Sequence, residues 1–374
     1  MARNRPLVGV ALDSGGAMGG AHIGVLQVLA ESRIPIDIIV GSSAGAAVGA
    51  FYATGKLEAF KELITDLSFI DSLSYYVDPV FPSSGLLAGN RARRFIHDLV
   101  GDTLIEDLPI RYIAVATDLL SGETVPIDRG SLTDAVLASI SMPVIFRPVV
   151  HMGRMLTDGG VSDPLPLDVL KSLSPNITIA CNLHAKVPRR FSSAKRQTII
   201  RAEQTAQTGE EEALASWIIE HVTNLLESPK MPDRLKTFAM DLMQKVNSTQ
   251  TFSQTEIEFI RTLQEQLIQA KDRFLETIGE RFPARRESSK LNIFEILSSS
   301  MNIQQYQKNR LMLLYDPPDV LIEPDVTDVG SLEFTLGEHT IDEGRKKALA
   351  ALPEIRKLLR EKQRSISPAG GSSS

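Results

Sequence analysis

Residues 38–49 read Ile38-Ile39-Val40-Gly41-Ser42-Ser43-Ala44-Gly45-Ala46-Ala47-Val48-Gly49. An apolar run of strand type stops at a serine between two glycines. Small helix-forming residues follow at once. Gly41-x-Ser43-x-Gly45 is the G-x-S-x-G pattern, which needs a strand-to-helix turn so sharp that larger flanking side chains would clash. The turn pushes Ser43 out at the C-terminal end of its strand, where open parallel sheets bind ligands. The following helix points its free amides at the same place and favours negative charge there. Ser42 lacks the symmetric glycine flanks and is the weaker choice of nucleophile. A plain glycine-serine turn serving helix packing is the bland alternative.

The neighbours of this elbow fit a parallel sheet. LVGVAL (7–12) reads as a buried strand and AHIGVLQVLAESR (21–33) as a helix. IDIIV is the next strand, and SAGAAVGAFYATGK is a helix ended by Gly55. The order β-loop-α-β-turn-α implies crossover helices and an α/β sandwich. Further strands are expected in RYIAVATDL, TVPID, IFRPVVHM, RMLTD and ITIACNL, with a hairpin turn at Gly153.

A second loop, Asp13-Ser14-Gly15-Gly16-Ala17-Met18-Gly19-Gly20, belongs to the same sheet edge as Ser43. Its glycines let main-chain N–H groups converge on an anion, as an oxyanion hole for acyl transfer requires. A dinucleotide loop fits worse. Serine stands at its first glycine position, and the second strand ends in Gly41 where a ribose-binding acid is expected. Serine chemistry also needs a base. Of the six histidines only His184, just after a strand, is well placed. The more conspicuous group is Asp158, which ends a strand in Leu156-Thr157-Asp158-Gly159-Gly160. On its own, Asp-Gly-Gly is an ordinary turn.

The bulk numbers exclude some classes. The chain has 374 residues, a net charge of −6 and a pI near 5.7, which argues against a nucleic-acid partner. No cofactor loop and no metal cluster of recognised spacing is found. Cys181 is the one cysteine, so no internal disulfide can form, and its strand setting reads as a buried small residue. Arg3 and Arg5 precede an apolar run that Asp13 cuts too short for a signal core. With no 18-residue apolar run for a spanning helix, the expected location is cytoplasmic. Peripheral contact with the inner membrane face stays open.

The character changes near residue 190. Residues 191–289 show helical periodicity, as in Leu214, Ile218, Val222 and Leu225, and again in Ile260, Leu263, Leu267, Ala270 and Phe274. This segment reads as a helical insertion: a bundle on its own domain, a lid, a membrane contact through Trp217, a partner site, or a seam for a homo-oligomer. Beyond it, PPDVLIEPDV supplies a last strand and residues 339–362 a helix with Pro353 as a candidate break. Residues 365–374 read as a flexible tail. One α/β domain, residues 6–190 and 290–360, is thus interrupted by the insertion.

Together the glycine-rich loop with AHIGVL, the GSSAG elbow, ASISMPVIFRPV and TDGGVSDPLPLDVL resemble the patatin-like phospholipase family, in its bacterial and neuropathy-target-esterase-like branch. The resemblance implies a three-layer sandwich with a mostly parallel sheet. It implies a Ser–Asp dyad without histidine: Ser43 as nucleophile, Asp158 as base, and Gly15, Gly16 and Ala17 as oxyanion donors. Gly41, Gly45, Gly159 and Gly160 are the motif glycines. The implied activity is hydrolysis of acyl esters in phospholipids or lysophospholipids. A soluble thioesterase or small-ester hydrolase, or a weakly active relative with a binding role, is the alternative. Two positions depart from the family's loop: Ser14 replaces a glycine, with strain expected there, and Met18 replaces a basic residue. Met18→Arg is expected to be tolerated.

Overall fold

The computed structural model describes residues 5–65, 87–186, 293–331 and 333–366. The chain divides into two units, Met1–Arg190 with Ile293–Ser374 and Phe191–Asn292, and every described residue belongs to the first. The insertion, Trp217 and the end of the tail lie outside the described residues.

Five strands form the parallel heart of the sheet: β1 (Val8–Leu12), β2 (Ile38–Ser42), β3 (Arg111–Asp118), β7 (Ile177–Cys181) and β8 (Val320–Ile322). β4 (Thr124–Ile127), β5 (Val149–His151) and β6 (Arg154–Asp158) add antiparallel pairing at one side. The order is β5-β6-β3-β2-β1-β7-β8, with β4 also on β3. The stretch IFRPVVHM contributes only the three residues of β5. The hairpin turns at Met152-Gly153, both at positive φ (48° and 75°), as a two-residue type I′ turn requires.

Strand side chains alternate between two cores, as the period of two demands. Val8, Val10, Leu12 and Ile39 enter one apolar cluster; Ala11, Ile38 and Val40 enter the other. The first cluster is closed by α1 (Gly20–Glu31), α2 (Ala44–Ala53) and α8 (Gly337–Ile366), and the second by α6 (Leu167–Ser172) and the end of α7 (Ile293–Tyr315). Helices on both faces of a mostly parallel sheet make the three-layer α/β architecture. The remaining helices are α3 (Leu57–Thr65), α4 (Asn90–Val100) and α5 (Leu132–Ser139).

α1 and α8 touch backbone to backbone. A Cβ on Gly24 would lie 2.1 Å from the Ile341 carbonyl oxygen, and one on Gly344 would lie 2.0 Å from that of Ala21. Pro353 does not break α8. It removes one donor, but Leu352 and Ile355 beside it are buried and their packing carries the helix through to Ile366. Ser365 and Ile366, expected in the tail, are therefore helical. α7 has no counterpart among the expected elements. Cys181 is buried as expected, and burial pushes its thiol pKa well above the ordinary value.

Candidate active site

The elbow forms where β2 meets α2. Ser43 has φ 50° and ψ −115°, a left-handed backbone uncommon outside glycine. A Cβ on Gly41 would lie 2.4 Å from the carbonyl carbon and oxygen of Gly45. One on Gly45 would lie 2.3 Å from the Leu12 carbonyl oxygen. Both glycines thus serve close approach, as the sequence pattern implies. The Ser43 amide donates to Ser139 Oγ (2.9 Å), whose hydroxyl donates to the Val115 carbonyl oxygen (2.5 Å). Ser139 therefore ties the elbow to β3 and α5, a role sequence reasoning did not assign. The signal was its place in ASISMP.

Asp158 ends β6 opposite Ala116 of β3. Its carbonyl oxygen accepts from Thr117 Oγ1 (2.8 Å), and its amide donates to the Ser141 carbonyl oxygen (2.9 Å). Ser43 Oγ donates to Asp158 Oδ2 at 2.6 Å, while the Gly160 amide donates to Oδ1 at 2.7 Å. Gly159 and Gly160 give the room: a Cβ on Gly159 would meet the Val115 carbonyl oxygen at 2.1 Å, and one on Gly160 would meet Gln305 Nε2 at 2.4 Å. Burial pushes the Asp158 pKa up to about 6, against the pull of the bonds from Ser43 and Gly160. The result is a carboxylate that is ionised near neutrality yet more basic than an exposed aspartate.

The glycine-rich loop comes to the same place. Ser14, Gly15 and Gly16 line one cleft with Ser43, Asp158 and Met142. The positive φ values fall on Gly15 (153°) and Gly16 (58°), not on Ser14, so the serine is not strained. Ala17 needs a correction: its amide donates to the Ser331 carbonyl oxygen at 2.8 Å, so it is committed and cannot serve as a third donor in this conformation. The rest of the cleft wall comes from Ser331 and from α7, through Ser298, Met301, Asn302 and Gln305. Asn302 and Ser331 exchange side-chain hydrogen bonds, and Gln305 Nε2 donates to the Gly160 carbonyl oxygen (3.2 Å). The cleft holds about 10 Å³, room for about one water molecule.

Met18 is also corrected. It is fully buried in the first core cluster, so an arginine there would bury an unpaired charge. Met18→Arg is expected to lower stability by about 3 kcal/mol or more, read as a fall in the urea midpoint; an unchanged midpoint would mean the side chain finds a path to solvent.

His184 does not face Ser43. Its Nδ1 lies 2.9 Å from Asp13 Oδ2, and both groups are buried. The same Asp13 oxygen accepts from the amides of Leu183 and His184 and from Asn309 Nδ2. Burial alone would raise the Asp13 pKa, but the charge of His184 and these bonds hold it below the ordinary 3.8. His22, whose Nε2 lies 2.7 Å from the Asp13 carbonyl oxygen, is driven down to about 4 by burial and is neutral at pH 7. Two histidines and Asp13 thus anchor the root of the glycine-rich loop. Among the described residues no group of three or more His, Cys, Asp or Glu side chains could hold a metal ion, and no helix is long and apolar enough to cross a membrane.

The sequence is similar to known proteins. The family model described as patatin-like phospholipase matches residues 10–171. The uncharacterized NTE family protein Rv1063c of Mycobacterium tuberculosis is 33% identical over 360 residues, covering 93% of this chain and 91% of that protein. A second protein of that organism, the uncharacterized NTE family protein Rv2565, is 37% identical over 163 residues, 44% of this chain and 28% of its own. The patatin-like phospholipase domain-containing protein ZK370.4 of Caenorhabditis elegans is 33% identical over 181 residues, 47% of this chain and 13% of its own. Residues 10–171 include the loop, elbow and Asp-Gly-Gly turn that line part of the cleft, and by the near full-length match the chain belongs to the NTE family of patatin-like phospholipase proteins.

Proposed function

We propose that the protein is a serine acyl hydrolase of glycerolipids, of phospholipase A or lysophospholipase type, working through a Ser43–Asp158 dyad and an acyl-enzyme. The observation that carries this reading is the 2.6 Å hydrogen bond from Ser43 Oγ to Asp158 Oδ2 at the elbow. Ser43 Oγ attacks the ester carbonyl carbon, and its proton passes to Asp158. The oxyanion is met by the amides of Gly15 and Gly16, each worth on the order of 3 kcal/mol if well aimed. As the C–O bond breaks, Asp158 returns the proton to the leaving alkoxide and Ser43 keeps the acyl group. A water then attacks the acyl carbon and gives its proton to Asp158, which passes it to Ser43 Oγ as the Oγ–acyl bond breaks and the fatty acid leaves. Esters suit this dyad better than amides, because an alkoxide leaves more readily. The cleft is narrow, and α7 and Ser331 form part of its wall, so they are the parts an acyl chain would meet on entering. The same reading assigns residues 6–190 and 290–360 to the hydrolase domain and 191–289 to an inserted unit.

The test is the pH dependence of kcat/KM on a soluble short-chain p-nitrophenyl ester. Asp158 must be ionised to accept the proton, and its pKa lies near 6. Turnover is therefore expected to be level at neutral pH and to fall about tenfold per unit below the pKa. A profile level down to about pH 4 would remove Asp158 from the role of base.

A further inference from the structure

Turns at the tips of strands are ordinarily polar. Around the β3–β4 turn and the β5–β6 hairpin, exposed apolar residues stand among the polar Ser121, Glu123 and Arg154. Leu120 is 80% exposed, Val150 and Met152 are each 72% exposed, and Leu119 and Met155 are partly exposed beside them. These residues form one patch: Val150 pairs with Met155 across the hairpin, and the Leu119 amide donates to the Met155 carbonyl oxygen at 2.8 Å.

Two of the apolar side chains sit on backbone that disfavours them. Met152 occupies the first turn position at φ 48°, where asparagine, aspartate or glycine is preferred. Val144, also exposed, is β-branched and at φ 70°, a true outlier for such a residue. Sites that keep a conformational cost are where function is sought. Val144 is 49% and Met152 72% exposed, so neither is held there by full burial within the protein.

The patch faces the right way. Asp158 lies level with Ala116 of β3. β3 runs on to Asp118, about 7 Å further out, where Leu119 and Leu120 begin the turn, and the hairpin tip extends beyond the level of Leu119, whose amide bonds to Met155. The tips therefore rise from the sheet edge on which Ser43 opens. Met142, two residues before the exposed Val144, lines the Ser43 cleft. Arg154, beside the hairpin turn, lies 3.0 Å from Glu123 and 3.5 Å from Asp118, so this group carries one more acid than base. An apolar rim whose charged group has a slight acidic excess fits a zwitterionic lipid layer better than an anionic surface.

We infer that the β3–β4 turn and the β5–β6 hairpin insert into a phospholipid bilayer and hold the Ser43 cleft against it. This rests on the reading of the protein as a lipid hydrolase, since that reading explains why the rim shares the edge of the cleft. The experiment is co-sedimentation of the full chain with phosphatidylcholine vesicles, for wild type and for Leu120→Asp with Met152→Asn. Asparagine suits the turn at position 152, so the variant keeps its fold. Partition is expected to weaken by about tenfold or more and to be insensitive to salt. Vesicle hydrolysis should fall in step while hydrolysis of a soluble ester stays level. In parallel, Met152→Cys is labelled with an environment-sensitive fluorophore, selectively because Cys181 is buried. Its emission should shift to the blue on vesicles. Unchanged partition of the double variant, no vesicle binding by wild type, or a fluorophore that stays in a water-like setting while the protein sediments would each overturn the inference. Failure of the hydrolase reading is separate: wild type would then turn over no ester, soluble or vesicular, whatever the partition shows.

Discussion

Replacing Ser43 by alanine, or Asp158 by asparagine, is expected to cut kcat/KM for ester hydrolysis by about 10⁴-fold. Each change removes the nucleophile or its base from a constellation that works as a unit. Neither should unfold the protein. Ser43 already bears a Cβ at its positive φ, so alanine adds no strain there. An asparagine at 158 keeps the two local bonds: its carbonyl oxygen can accept from the Gly160 amide, and its amide can donate to Ser43 Oγ. Stability gives a second readout with the opposite sign. The folded pKa of Asp158 is about 6 against an ordinary 3.8. The ionised carboxylate therefore opposes folding, fully above about pH 6 and not at all well below pH 4. Removing that charge is expected to stabilise the fold at neutral pH by up to about 3 kcal/mol. Asp158→Asn should thus be inactive and more heat-resistant than wild type. An inactive variant that melts earlier would mean that asparagine disturbs the site rather than only silencing the base.

The second large effect is one of stability. His184→Ala is expected to destabilise the protein by about 3 kcal/mol, because it removes the buried imidazole hydrogen-bonded to the buried Asp13 carboxylate. Chemical denaturation would show this as a lower urea midpoint with little change in slope. Asp13 titrates lower in the folded state than unfolded. Its contribution is therefore present above the ordinary carboxylate pKa and lost as pH falls through the folded value. Under conditions where His184→Ala stays folded, its pH–rate profile should keep the fall near pH 6, because the histidine is not the base. A fully stable variant with activity lost would instead place His184 in the chemistry.

What was legible in the sequence follows from these contacts. The elbow could be read because Gly41 and Gly45 are required by backbone crowding, and such requirements leave single-residue marks. The sheet could be read because β1, β2, β3 and β7 are buried on both faces and show as continuous apolar runs. α7 could not be read, for the opposite reason. The face it turns to the cleft carries Ser298, Met301, Asn302, Gln305 and, further on, Asn309, at helical spacing. That face covers a polar site, so its period is written in polar residues and a search for apolar stripes passes over it. The Ser331 carbonyl on the Ala17 amide was equally hidden, since the two residues lie far apart in sequence and no local pattern links them. Met18 shows the limit of a motif. Its position matches a basic residue of the family, yet its side chain is packed in the core, and only the structure shows which way it turns.

The claim that Ser43 is a nucleophile activated by Asp158 is tested most directly by covalent labelling with a fluorophosphonate, followed by peptide mass spectrometry. The account predicts one adduct, on the peptide carrying Ser43, absent in Ser43→Ala and formed far more slowly in Asp158→Asn. An adduct on another serine, or labelling of Ser43 at an undiminished rate in Asp158→Asn, would contradict it.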